Sequence, residues 1–184
     1  RRGVLATEGG FDEIGYNGPG RPGAEDMELS FRLLDSGWQL LFDRDSRVGH
    51  FHPVRILRYL RSQMLHGRFA TRLFLSHPRR LAGTSYSRFR DHAGPPLALA
   101  LVAAVVVAFV AASWWPLPVI LATGLVALEA LAALSVWHSS ANPRSLALLP
   151  VGLLRTFARA AGSLAGGFDI LLAPPRRPLP RPLP

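Results

Sequence analysis

The sequence predicts an α/β portion followed by a transmembrane α-helical hairpin, and three observations carry that prediction. Two long apolar runs, Leu97–Trp115 (LALALVAAVVVAFVAASWW) and Leu117–Trp137 (LPVILATGLVALEALAALSVW), each approach the roughly 20 residues a helix needs to cross a bilayer's hydrocarbon core. Ahead of them, short strand-like pieces surround one acidic helix. Arginines crowd both outer flanks of the runs (Arg79, Arg80, Arg88 and Arg90 before, Arg144, Arg155 and Arg159 after), whereas the connecting SWWPLP carries no charge. The expected organisation is a cytosolic part over 1–92 with an interfacial helix at 53–77, and two membrane helices within 93–140. An interfacial or re-entrant segment at 141–172 and a disordered Pro/Arg-rich tail at 173–184 follow.

With 184 residues, 49% of them hydrophobic, the chain has room for one or two domains. A pair of buried core helices is the alternative to membrane spans, but such a helix keeps a polar face, and Leu97–Trp115 has none beyond Ser113. The arginine bias places both flanks in the cytoplasm and leaves the hairpin tip barely emerging on the far side. A cleaved signal peptide is excluded, because the first apolar run begins only after about half the chain. The absence of cysteine removes disulfides and thiolate metal sites. The formal net charge of +9 comes entirely from arginine on the basic side. Because those arginines lie beside membrane-length segments, anionic lipids are the expected partner and nucleic acid is not.

In chain order, Val4–Ala6 reads as the end of a strand, and the glycine-rich stretch after it reads as a mobile loop. From Ala24 to Ser36, Met27, Phe31 and Leu34 recur at helical steps, with Gly37 placed as the left-handed stop. Gln39–Phe42 and Arg47–Phe51 read as strands separated by the Asp43–Asp45 turn, with His50 and His52 on one face. From Pro53 to His77, Leu57, Leu60 and Met64 interleave with Arg55, Arg58 and Arg61, the pattern of a helix lying on headgroups, bent at Gly67. Ser145–Leu172 is apolar with Arg155 and Arg159, and Pro150 and Gly166-Gly167 speak against a third clean crossing. The tail APPRRPLPRPLP is expected to be extended.

Glu25, Asp26 and Glu28 fall within one helical turn of a chain that has only 12 acidic residues. Carboxylates at a helix start complement the macrodipole for about 0.3–1 kcal/mol each. The glycine-rich approach and the histidine downstream also compose a site where a carboxylate abstracts a proton near a divalent cation. Both readings are open at this level.

GGFDE at Gly9–Glu13, EDMELSFRLLDSGWQLLFD at Glu25–Asp43 and VGHFHP at Val48–Pro53 together resemble the C-terminal half of the catalytic domain of family-2 glycosyltransferases, inverting enzymes of the GT-A fold. The resemblance covers Gly3–Tyr86. It implies transfer of a hexose-type sugar from a nucleotide-diphospho-sugar to a lipid-linked or polysaccharide acceptor of the cell envelope, at the inner face of a bacterial cytoplasmic membrane. It makes Asp26 the general base, Glu25 its orienting neighbour, and Gly10, Phe11 and Asp12 the acceptor side. Glu28 is expected to face solvent. His50 is a ligand for Mn²⁺ or Mg²⁺ or else a strand histidine, His52 a supporting or surface residue. His66 and Arg68 are candidates for the donor diphosphate, with a lipid headgroup the favoured contact for Arg68. The processive Gln-x-x-Arg-Trp signature is absent from SQMLHGRFA, where Gln63 begins no match, so addition of one or a few sugars is implied.

The family's nucleotide-binding half, with its Asp-x-Asp motif and most of its metal ligands, is expected before Arg1. Asp43–Asp45 has those letters but follows the acidic helix and reads as a turn. The chain by itself is therefore expected to be an inactive portion of a longer enzyme. Two alternatives accompany this reading: a non-catalytic membrane anchor or assembly subunit, and a transporter fragment suggested by Glu129 within the second run, for which two helices make too small a pathway.

Overall fold

A computed structural model describes residues 2–12, 24–41, 43, 45–47, 49, 54–82 and 89–172. Among them are six α-helices: α1 (Arg2–Thr7), α2 (Glu25–Asp35), α3 (Ile56–Ser76), α4 (Phe89–Val110), α5 (Pro116–Ser140) and α6 (Leu148–Leu172). Short 3-10 turns at Pro78–Ala82, Ala112–Trp114 and Pro143–Ala147 connect them.

The α/β expectation, and with it the GT-A fold, is overturned: the described residues contain no strand. The Val4–Ala6 stretch lies inside helix α1. Gln39–Leu41, Arg47 and Gly49 have no regular structure, and the rest of the second strand-like piece, with His50 and His52, lies outside the described residues. The physical reason is hydrogen-bond closure. A strand leaves its N–H and C=O groups unpaired unless a neighbouring strand takes them, whereas a helix pairs them within its own segment. Gln39–Leu41 has no ladder to join among the described residues.

Helix prediction fared differently. Helix α2 ends as expected: Gly37 sits at φ +86°, its amide donates to the Leu34 carbonyl at 3.2 Å, and the Trp38 amide reaches back to Leu33 at 3.0 Å. That double closure is the left-handed stop that glycine allows. Helix α3 spans nearly the expected range but runs unbroken through Gly67, where a bend was expected. The glycine serves packing instead. A Cβ at Gly67 would collide with the Arg159 backbone, one at Gly162 with the Met64 carbonyl, and one at Gly166 with the Arg68 carbonyl. The 141–172 segment contains one continuous helix, α6, which admits Pro150 in its first turn, where the missing N–H has no partner to lose.

Helices α3 and α6 form the axis of the molecule. Their contacts Gln63–Arg159, Gly67–Ser163 and Arg68–Asp169 advance together, so the two helices run in the same direction. Helix α2 docks on the C-terminal half of α3 through Phe31, Leu73, Met27, Phe69 and Phe74. The α4–α5 hairpin packs on α6 through Ala98, Leu125, Ala160 and Leu153. Helices α4 and α5 are both long and apolar enough to cross a membrane, and only 22% and 17% of their most apolar windows is buried. Among the described residues these two helices leave most of their apolar surface uncovered, which supports association with a membrane.

Candidate functional site

The site is built on the start of α2. Asp26 is exposed; its Oδ1 accepts the Met27 amide at 2.8 Å, and its backbone carbonyl accepts the Ser30 hydroxyl at 2.7 Å. Glu25 is half-buried, and its Oε2, shielded from solvent, has no hydrogen-bond partner among the described residues. The expectation that Glu28 faces solvent is corrected: it is buried and receives both the Nε (3.0 Å) and an Nη (2.8 Å) of Arg32. The i,i+4 spacing that places them on one face explains the pairing.

Arg32 does more than neutralise Glu28. Its guanidinium also donates to the carbonyls of Glu8 and Gly10, the latter at 2.8 Å. One planar fork thereby fastens the glycine loop to the acidic helix. Gly9 and Gly10 both lie at positive φ, +77° and +69°, a conformation that lets the loop turn its carbonyls toward the fork. The Ser36 hydroxyl adds a bond to Glu8 Oε2 at 3.1 Å. Hydrogen bonding to Glu28 raises the Arg32 pKa despite partial desolvation, with Glu8 and Asp12 adding negative charge. Phe11 is exposed and Asp12 half-buried beside this fork.

Asp26 also faces the middle of α3. Partial desolvation lowers the His66 pKa, the charge of Arg159 lowers it further, and the negative charge of Asp26 partly opposes both. Three helices therefore place charged groups around one imidazole: α2 supplies Asp26, α3 His66 itself, and α6 Arg159. Arg159 is steered by Gln63, whose buried Oε1 accepts its Nε at 2.8 Å.

The sequence-derived residues thus divide. Glu25 and Asp26 open α2, with His66 close enough to feel the Asp26 charge, whereas Gly10 and Asp12 lie by Arg32 of the last turn of the same helix and Phe11 is exposed. Arg68 points elsewhere, into a two-pronged ion pair with Asp169 at 2.5 and 2.8 Å, whose hydrogen bonds raise its pKa. His50 lies outside the described residues, and among those described no group of three or more His, Cys, Asp or Glu could hold a metal ion. The described side chains do not by themselves compose a divalent-metal site. Sequence reasoning missed Arg32 as the tether, although its spacing from Glu28 was a usable signal. It also missed Gln63 and Arg159 as a pair, which no local signal could reveal across that separation.

No protein-family model matches the chain, and no solved structure matches it significantly. Curated relatives that do match are proteins named pre-mycofactocin glycosyltransferase from two strains of Mycobacterium tuberculosis. Each is 28% identical to this chain over 82 residues. The match covers 45% of this chain and 16% of each relative's length. Part of the chain is thus distantly similar to a glycosyltransferase.

Proposed function

We propose that the chain is part of a membrane-associated, inverting family-2 glycosyltransferase in which Asp26 removes the proton from an acceptor hydroxyl. The observation that carries this reading is the exposed Asp26 carboxylate at the start of α2, beside the shielded Oε2 of Glu25. The distant similarity to a named glycosyltransferase supports sugar transfer, which requires a sugar donor and an acceptor.

In this reading Asp26 is reachable by an acceptor hydroxyl because its carboxylate is exposed and, among the described residues, its hydrogen bond is to the amide of its own helix turn. As the acceptor oxygen attacks the anomeric carbon and the donor diphosphate departs, Asp26 takes the proton. His66, on which the charges of Asp26 and Arg159 both act, offers a hydrogen-bond donor to the departing phosphate oxygens. Glu25 holds a second carboxylate oxygen out of solvent for orienting the acceptor. A divalent cation, held by residues other than those described, would offset charge on the departing diphosphate. The apolar α4–α5 hairpin keeps this surface against a bilayer, cytosolic by the arginine bias.

The test is sugar transfer to membrane lipid extract by the full reading frame containing this chain, using a panel of radiolabelled nucleotide-diphospho-sugars. Asp26→Asn is expected to lower transfer at least ~100-fold, the range by which positioned bases accelerate reactions. Undiminished transfer in that variant refutes the assignment. A second reading, a membrane anchor without turnover, draws on the two-pronged Arg68–Asp169 pair, which occupies a candidate donor group with a structural role. Absence of transfer with every donor, alongside normal membrane insertion, favours that reading.

A further inference from the structure

Helix α6 carries three charged residues, Arg155, Arg159 and Asp169, and each is bonded to a neighbouring helix. Arg155 donates to Glu129 of α5 at 3.2 Å, Arg159 donates to Gln63 of α3 at 2.8 Å, and Asp169 receives Arg68 of α3 at 2.5 and 2.8 Å. Gly162 and Gly166 press the same side of the helix onto the α3 backbone, while Thr156 and Ala160 turn toward the α4–α5 hairpin. Leu154, Phe157, Ala161, Leu164, Phe168 and Leu171 recur at steps of three and four, so the helical repeat lines them up on the face opposite α3. All six are exposed, Phe168 by 62% and Leu171 by 80%. The stripe runs about 25 Å along the axis and no polar side chain interrupts it.

We infer that this outer face of α6 is seated against the acyl chains of a bilayer, which makes α6 a third lipid-contacting helix beside α4 and α5. Three charges in 25 residues argue against membrane burial when the sequence alone is read. The fold removes that objection, because the charges turn inward and find partners, the arrangement in which ionisable groups are tolerated within a membrane. A helix resting at a water-facing surface shows the reverse: its polar residues lie outward and its apolar stripe inward. The face also continues a surface already suited to lipid, since α4 and α5 meet α6 through Ala98, Leu125 and Ala160 and leave most of their own apolar surface uncovered. An uninterrupted apolar stripe of this length left in water is an aggregation liability, and hydrocarbon removes it. This inference does not rest on the sugar-transfer reading.

The chain has no cysteine, so single cysteines can carry a spin label in the full chain reconstituted into liposomes of phosphatidylglycerol and phosphatidylcholine. Labels at Leu164→Cys and Phe168→Cys report on the stripe, Val106→Cys on the exposed apolar surface of α4, and Ser46→Cys on an exposed polar position. Collision with oxygen, which concentrates in hydrocarbon, is compared with collision with a water-soluble nickel chelate. Oxygen is expected to be favoured several-fold at both stripe positions, as at Val106→Cys, and nickel at Ser46→Cys. If either stripe variant does not insert, Leu154→Cys on the same face supplies the second reading. A preference for nickel at either stripe position overturns the assignment. Low collision with both reagents also overturns it, because protein then covers the face; spin–spin broadening between labelled chains identifies that cover as a second copy.

Discussion

Two junctions of this molecule solve the same problem by opposite means. Between α3 and α6, glycines 67, 162 and 166 let one backbone rest on another, so the contact is steric and tolerates almost no added atom. Between the glycine loop and α2, the contact is one guanidinium with four acceptors, Glu28 twice, Glu8 and Gly10. The first is rigid by exclusion, while the second is held by directional bonds that can open and reform. A scaffold helix pair suits the first kind, and a surface that must admit an acceptor suits the second.

The largest effect is expected where the steric junction is broken. Gly162→Val places side-chain atoms on the Met64 carbonyl and should cost about 3 kcal/mol or more, because a backbone atom has nowhere to go. Since the chain has no cysteine, oxidation of a Met64→Cys/Ser163→Cys pair reads the crossing directly; it should form a cross-link in the parent and lose it with Gly162→Val. Next comes Glu129→Ala, which strands Arg155 and loses the Thr156 bond, for about 2–4 kcal/mol in thermal unfolding.

Arg32→Gln should cost less, about 1–3 kcal/mol, and its signature is locality. Amide hydrogen exchange should accelerate at Glu8–Asp12 while the cysteine cross-link between α3 and α6 stays intact. Loss of both together breaks the comparison, because the two junctions are then one unit.

The smallest effects come from pH. The His66 pKa is lowered by desolvation and by Arg159, so the folded state binds that proton less readily than the unfolded state does. Its contribution is complete above about pH 6.5 and is lost as pH falls through the lower folded-state value. His66→Gln should flatten the stability profile between about pH 7 and 5. Asp35 is held below the usual carboxylate range, first by the Arg80 hydrogen bond at 2.6 Å and also by His77 at 2.8 Å. Its contribution persists above about pH 4 and fades as pH falls through the depressed value. Asp35→Asn should remove that acid limb, a small effect because the carboxylate is half exposed.

Helices α2, α4 and α5 were legible in the sequence because their signals are local, whereas α1 read as a strand end. Apolar length announced α4 and α5, a three- and four-residue apolar recurrence announced α2, and Gly37 announced its end. The strands failed because a strand is defined by a partner, and no composition of Gln39–Phe42 can supply one. At the site, Asp26 and Gly10 were singled out by the resemblance that GGFDE and EDMELSFRLLDSGWQLLFD carry. Arg32, which holds the Gly10 carbonyl, and Arg159, which bonds Gln63 from the far end of the chain, depend on contacts that form only once the helices pack. Gly67 shows the same limit in miniature: read alone, it marks a bend, and packed against Arg159 it is a point of closest approach.

The account rests on Asp26 rather than its acidic neighbours doing the chemistry, and one comparison isolates it. Transfer per folded enzyme should be measured side by side for Asp26→Asn, Glu25→Gln and Glu28→Gln in the full reading frame. The account predicts a loss of at least ~100-fold for Asp26→Asn, a smaller loss for Glu25→Gln, and near-parental turnover with reduced stability for Glu28→Gln. Parental turnover in Asp26→Asn, or its loss in Glu28→Gln alone, contradicts it.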